Sequence, residues 1–265
     1  MDVRRFAVFA SIALPVMTMA SCAKPTGAVT MAASVHVTAL TVTMAPLAPL
    51  GVPYYSTRGS FPQVSGGSAP LTATNSALRQ IVLSDEEQFA VSARKHAQIP
   101  GIPMGPGLGL YQMTPQRQLI SASSVVVSAL VPTLMYYPGG TPNATWLSET
   151  VEVPSGKSLS LSDLFTDPSA ALKAIATASR TKLLASNSGL KSQLEYLQKT
   201  HQVFGGFAPT RGNYQYFALL RSGLAVGFPA YQLLGPGRTE LVIPYTVIRP
   251  YLNRLGARML AGVQT

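Results

Sequence analysis

Three histidines, one cysteine and ten carboxylates are the whole supply of side chains from which this 265-residue chain could build a metal centre or activate a nucleophile. His36, His96 and His201 are far apart, and none has a second ligand type at zinc spacing, so no metal site is expected. A serine hydrolase needs a nucleophile, a base and an orienting acid, assembled in space in any chain order. His96 and His201 are candidate bases, and Asp85, Asp163 and Asp167 candidate acids. No G-x-S-x-G elbow occurs, however. The nearest segments, "GKS" at 156–158 and "GGS" at 66–68, are turns that need glycine for backbone reasons alone. Asp163 and Asp167 read more simply as helix caps flanking Leu164 and Phe165. The glycines of "GPGLGL" at 105–110 lack the lysine of a phosphate-binding loop. No catalytic residue and no cofactor is assigned on these grounds, and serine ester hydrolysis through His96 or His201 stands as the alternative function.

The cysteine has a different use. Residues 2–5 carry Arg4 and Arg5, and residues 6–19 are almost entirely apolar, a run too short for a comfortable membrane span and laid out like a secretory signal. "MASC" follows, with small Ala20 and Ser21 before Cys22. It resembles the bacterial lipoprotein box, in which the cysteine is acylated and becomes the first residue of the mature chain; Met19 stands where leucine is usual. Ordinary cleavage after Ala23 is the competing reading. Each buried acyl methylene contributes about 0.8 kcal/mol, and two chains anchor stably where one does not. Cys22 is therefore the expected lipid attachment, palmitate included, and the expected location is extracytoplasmic, at the cell membrane or envelope. No second cysteine is present, so the fold must stand without disulfides.

The net charge is +10. Export argues against nucleic acid as partner, and the cations are spread from Lys24 to Arg258 without a dense block. Anionic lipid heads or acidic wall polymers are the more natural counter-surface.

The elements that must position any site follow from periodicity. Residues 34–44, "SVHVTALTVTM", alternate and then change phase, which predicts a strand with a bulge near Ala39 and Leu40. Residues 45–74 are rich in Pro, Gly and Ser and read as a long, flexible loop. Asn75 is expected to cap a helix to about His96, with Leu78, Ile81, Val82 and Phe89 on its apolar side. Strands are expected over 108–114, over 119–137 with a break at Pro132, over 148–153 and over 158–161. Asp167 and Pro168 start a helix carrying Leu172, Ile175, Leu183 and Leu184. A second helix covers 190–200, a hairpin turns at "RSG", a strand covers 239–243, and a single helix over 247–260 exposes Arg254 and Arg258, candidates for contact with an anionic surface. The cluster "MYYPGG" at 135–140 with Trp146, Tyr214, Tyr216 and Phe217 is core or recognition surface. Strands outnumber helices and are neighbours in sequence, which argues for α+β with antiparallel sheets and packed helices.

Four segments carry a resemblance: "YYPGGTPN" at 136–143, "VPSGKSLSLSDLF" at 153–165, "NYQYFALLRSGLAVGFPAYQL" at 213–233 and "LVIPYTVIRPYL" at 241–252. Their order is similar to that of the C-terminal domain of the RsiV family, which is shared with secreted mycobacterial immunogenic proteins. The resemblance covers about residues 119–255. It implies an extracytoplasmic module whose best-understood relative senses by binding another protein, lysozyme, without enzymatic activity. The family often has a histidine shortly after the Gly-Gly pair, where this sequence has Thr141, Pro142 and Asn143, so no role of that residue carries over. Sigma-factor control needs a cytoplasmic segment and a membrane helix, and a removable signal so near Met1 argues against it.

The expected organisation is a signal over 1–21, a tether over 22–33, a smaller N-terminal α/β portion over 34–118 containing the 45–74 loop, and an RsiV C-terminal-like domain over 119–265. The expected function is non-enzymatic binding of a protein or cell-envelope ligand, by residues the sequence does not identify.

Overall fold

The computed structural model describes residues 40–53, 55–67, 70–101, 109–113, 118–153 and 155–265. The signal over 1–21, Cys22, the tether and His36 lie outside the described residues.

The architecture is α+β, with every strand pairing antiparallel except one. Strand β1 (Thr41–Pro46) pairs with β3 (Ser60–Ser65) in a two-stranded ribbon. Between them β2 (Tyr55–Arg58) leaves the ribbon and runs parallel to β4 (Gly109–Met113) at the edge of a six-stranded sheet. The 45–74 segment, expected as a loop, therefore carries two strands. Its Gly, Pro and Ser content hides four apolar anchors, since Val52, Tyr55, Phe61 and Val64 are buried. Pro62 is tolerated because a two-stranded ribbon consists only of edges.

Helix α1 (Thr72–His96) buries Leu78, Val82 and Phe89 of the expected stripe and Ala93 besides, while Ile81 is partly buried. Asn75 is not its cap. It lies in the first turn, where its amide Nδ2 donates to the Val64 carbonyl and its Oδ1 accepts from the Val64 N–H, both at 2.8 Å. The side chain thus behaves like a neighbouring strand and ties α1 to β3.

Strands β5 (Leu119–Ala122) and β6 (Val126–Tyr136) come next, and Pro132 does not break β6. On that side β6 pairs with β5 up to Leu130 and with β4 from Thr133, so the proline falls where the neighbour changes and no donor is missed. Strand β7 (Asn143–Glu152) pairs with β6 along its whole length, and the two-residue β8 (Lys157–Ser158) pairs with β7 only at Val151 and Glu152.

A three-stranded sheet, β9 (Phe217–Leu220), β10 (Gly223–Phe228) and β11 (Thr239–Ile243), stacks on the other face of the large sheet from α1. In β10, Ala225 faces Leu130 and Trp146, while Leu224, Val226 and Phe228 face α2 (Pro168–Ser186), α3 (Ser188–Lys199) and α5 (Arg254–Gln264). The small residue sits where sheets meet, and a Cβ on Gly227 would lie 2.8 Å from the Trp146 ring. Ser128 joins the sheets: it shares a hydrogen bond with the Thr150 hydroxyl at 2.6 Å and accepts one from the Leu219 N–H at 2.8 Å.

The last helix is divided. Pro250 limits α4 (Tyr245–Ile248), a 3₁₀ turn (Arg249–Tyr251) follows, and Asn253 restarts the chain by accepting from Gly256 N–H at 2.8 Å as the cap of α5. No helix among the described residues is long and apolar enough to cross a membrane.

Candidate functional site

A cleft arises where two backbones separate. The β8 strand leaves β7 after Ser158, and a 3₁₀ turn (Leu161–Leu164) carries the chain away, opening a cavity of about 470 Å³ between β7, that turn and the 211–217 segment. Its floor is apolar: Leu161, Leu172, Tyr214 and Phe217 are all buried. Its rim is polar, with hydroxyls at Ser148, Ser158, Ser160 and Ser162 and charges at Glu149, Asp163 and Arg211.

The wall is fixed locally. Ser160 caps the 3₁₀ turn in a capping box, its N–H and hydroxyl both donating to Asp163 Oδ2 at 2.8 Å. Those bonds hold the Asp163 carboxyl below its ordinary pKa, with Lys157 and Arg211 adding to the effect. Glu149 is shifted the other way, because burial disfavours its charged form; the nearby Ser158 hydroxyl opposes the shift. Arg211 is exposed; its carbonyl accepts from Tyr214 N–H at 3.2 Å, while its guanidinium makes no hydrogen bond or ion pair among the described residues. On the opposite wall Ser148 Oγ donates to the Gln215 carbonyl at 3.1 Å. The cleft thus combines a greasy floor, a half-buried carboxyl, a fixed carboxylate and an exposed guanidinium that acts on that carboxylate through space, a set suited to holding a ligand that is part apolar and part charged.

Of the residues singled out in sequence, Ser158 and Asp163 reach this cleft and the histidines do not. His96 Nδ1 shares a hydrogen bond with Tyr55 Oη at 3.0 Å and packs 5.5 Å from the Tyr137 ring, at the far end of α1. His201 follows α3 with φ of 55°, exposed, its N–H bonded to the Gln198 carbonyl. Neither hydrogen-bonds a serine among the described residues. Asp85 accepts from Tyr111 Oη at 2.7 Å, and Asp167 caps α2 through Ala170 N–H at 3.0 Å. Among the aromatics, Trp146, Tyr214 and Phe217 are core, with Trp146 Nε1 donating to the Phe228 carbonyl at 3.2 Å and the Arg238 guanidinium 5.6 Å from its ring. Arg254 is exposed, whereas Arg258 is ion-paired with Glu152.

Sequence reasoning missed Glu149, Arg211 and Gln215. An acid inside the strand "LSETVEV" is the one signal that pointed there; the loop residues carried none.

No protein-family model matches the sequence, and no curated protein matches it. Among solved structures, a DUF3298-family protein of Bacteroides fragilis aligns with a TM-score of 0.49 at 13% identity, spanning 86% of this chain and 97% of that one. A DUF3298-family protein of Pseudomonas aeruginosa aligns with a TM-score of 0.49 at 15% identity, spanning 82% of this chain and 94% of that one. DUF3298 is a domain family of unknown function.

The segments that carry the RsiV-like resemblance can be placed on the structure. Residues 158–163 of one form the cleft wall, and Tyr214, Gln215 and Phe217 of another form the opposite side.

Proposed function

We propose that this chain is a lipid-anchored, extracytoplasmic lipoprotein with an RsiV C-terminal-like fold, tethered through Cys22, whose cleft beside β7 binds a protein or cell-envelope ligand without chemical turnover. The observation that carries the reading is the convergence of two resemblance segments on one cleft whose acidic and basic side chains are Glu149, Asp163 and Arg211. Support comes also from the histidines, since His96 is engaged by Tyr55 and His201 lies beyond α3, so that among the described residues the cleft has no imidazole base. A half-buried carboxyl with no ion pair among the described residues favours a ligand that brings a positive group or a hydroxyl. Cys22 anchorage would hold this cleft near the envelope.

Two measurements test the reading. The full chain carrying Cys22→Ser, which has no acyl anchor, is co-sedimented with isolated cell envelope, with and without Ser158→Trp, which fills the cleft from the exposed edge strand. The chain with the open cleft sediments and the Ser158→Trp chain is depleted if the cleft binds; equal sedimentation overturns the assignment. Short-chain ester turnover is then compared among wild type, His96→Ala and His201→Ala. Activity abolished by either substitution would make the chain a hydrolase.

A further inference from the structure

Successive residues of a strand point to opposite faces. The cleft is nonetheless lined by three successive residues of β7, Ser148, Glu149 and Thr150, so it opens onto the edge of the strand and not onto one face. The hydrogen bonds identify which backbone groups lie on that edge. Val153 N–H donates to the Val125 carbonyl at 2.8 Å, so odd-numbered residues turn toward β6. Leu159 N–H donates to the Thr150 carbonyl at 2.7 Å and Ala230 N–H to the Ala144 carbonyl at 2.8 Å, so even-numbered residues turn outward. Between those two covered points Ser148 presents its N–H and C=O, and Thr150 its N–H, without a partner among the described residues. The lane beside them is the one β8 leaves when it diverges.

We infer that this lane accepts an extended polypeptide segment of a partner protein, which adds as a strand to the outer edge of β7. The inference rests on the binding reading above and names the class of partner. Main-chain bonds to Ser148 and Thr150 supply affinity in this mode, and alternate side chains supply selectivity. Ser148 and Thr150 lie on the side of the sheet that meets the apolar floor, so a side chain of the added strand on that side lands on Leu161, Leu172, Tyr214 and Phe217. Its neighbour in sequence points to the other side, beside Glu149, whose half-buried carboxyl has no ion pair among the described residues. The preferred segment therefore pairs an apolar residue with an adjacent Lys or Arg, over roughly three to five residues at about 3.3 Å each.

The test uses the immobilised full chain and a phage-displayed library of random dodecapeptides, with affinities of the enriched peptides then measured by fluorescence polarisation. Enrichment of an apolar residue next to Lys or Arg is expected. N-methylation of the peptide backbone should weaken binding about tenfold or more at alternate positions only, because each methyl removes a donor on one edge of the added strand. Ser148→Pro removes the outward N–H without touching the β6 ladder, a substitution an edge strand accepts, and should also cost about tenfold; Ser148→Ala, which keeps that N–H, should cost less than threefold. If Ser148→Pro does not fold, the N-methyl scan decides alone. No enrichment, or binding indifferent to N-methylation, overturns strand addition. Envelope binding that is lost in Ser158→Trp while no peptide is enriched leaves the cleft as a binding site and rejects only the peptide. Enriched peptides that bind Ser158→Trp as well as wild type reject both.

Discussion

Ser128 is the most informative position in the scaffold behind the cleft, because one buried hydroxyl joins β6, β7 and β9. In Ser128→Ala the Thr150 hydroxyl loses its partner and so does the Leu219 N–H, while almost no volume is removed. Ser128 and Thr150 are essentially inaccessible to water, so neither orphaned group can be rehydrated in place. An unsatisfied buried polar group costs about 1 to 3 kcal/mol. Two of them, with some relaxation, should cost about 2 to 4 kcal/mol, which for a chain of this size lowers Tm by roughly 5 to 15 °C. Urea unfolding followed by circular dichroism measures the loss directly. Adding Thr150→Val removes one of the two orphaned groups and keeps the shape, so Ser128→Ala/Thr150→Val should be more stable than the sum of the single variants by about 1 kcal/mol. A Ser128→Ala cost below about 0.5 kcal/mol, or strict additivity of the pair, would refute the claim that this hydroxyl couples the two sheets.

Gly256→Ala places a Cβ 2.2 Å from the Leu164 carbonyl oxygen, a backbone atom that cannot swing away. The helix-propensity gain of up to about 1 kcal/mol is outweighed, and a net loss of about 1 to 3 kcal/mol is expected in the same urea assay. Arg258→Ala removes an exposed ion pair with Glu152 and should cost less than about 1 kcal/mol, with the difference shrinking further in high salt. Burial, and then the charge of Asp85, raise Glu86 above its ordinary 4.5, so the folded chain takes up that proton at a higher pH than the unfolded chain. Its contribution is therefore full below 4.5 and is lost as pH rises through the raised value, and urea midpoints measured upward from about pH 4.5 should fall less steeply in Glu86→Gln than in wild type. Asp163 has the opposite sign: its contribution is present above 3.8 and lost on acidification through its lowered value, a loss absent in Asp163→Asn.

Much of the scaffold was legible because periodicity reports burial. The stripe of Leu78, Val82 and Phe89, the Asp167 and Pro168 start of α2, and the hairpin at Arg221, Ser222 and Gly223 each depend on neighbours in sequence. The errors share a cause in tertiary pairing. Phe61 and Val64 make a strand of a segment that reads as loop only because β1 is there to receive them, and Asn75 reads as a cap until Val64 is seen beside it. Pro132 is a strand breaker by itself and harmless at the junction between two neighbouring strands. The cleft was the least legible feature. It depends on β8 parting from β7 and on Arg211 and Gln215 arriving from a segment more than fifty residues later, and neither separation nor arrival leaves a local pattern. Ser158 read as part of a glycine turn and lies in β8, and Asp163 read as a helix cap and is the third residue of a 3₁₀ turn that Ser160 caps; neither reading placed them on a cleft wall.

Site-specific photo-crosslinking in cells carrying the full chain tests the central claim most directly. A photoreactive phenylalanine analogue is placed at Ser158 on the cleft wall or at Lys95 on the exposed side of α1. A discrete covalent adduct is expected from position 158, lost when Arg211 or Glu149 is also substituted, and none from position 95. No adduct from 158, or the same adduct from both positions, would contradict that claim.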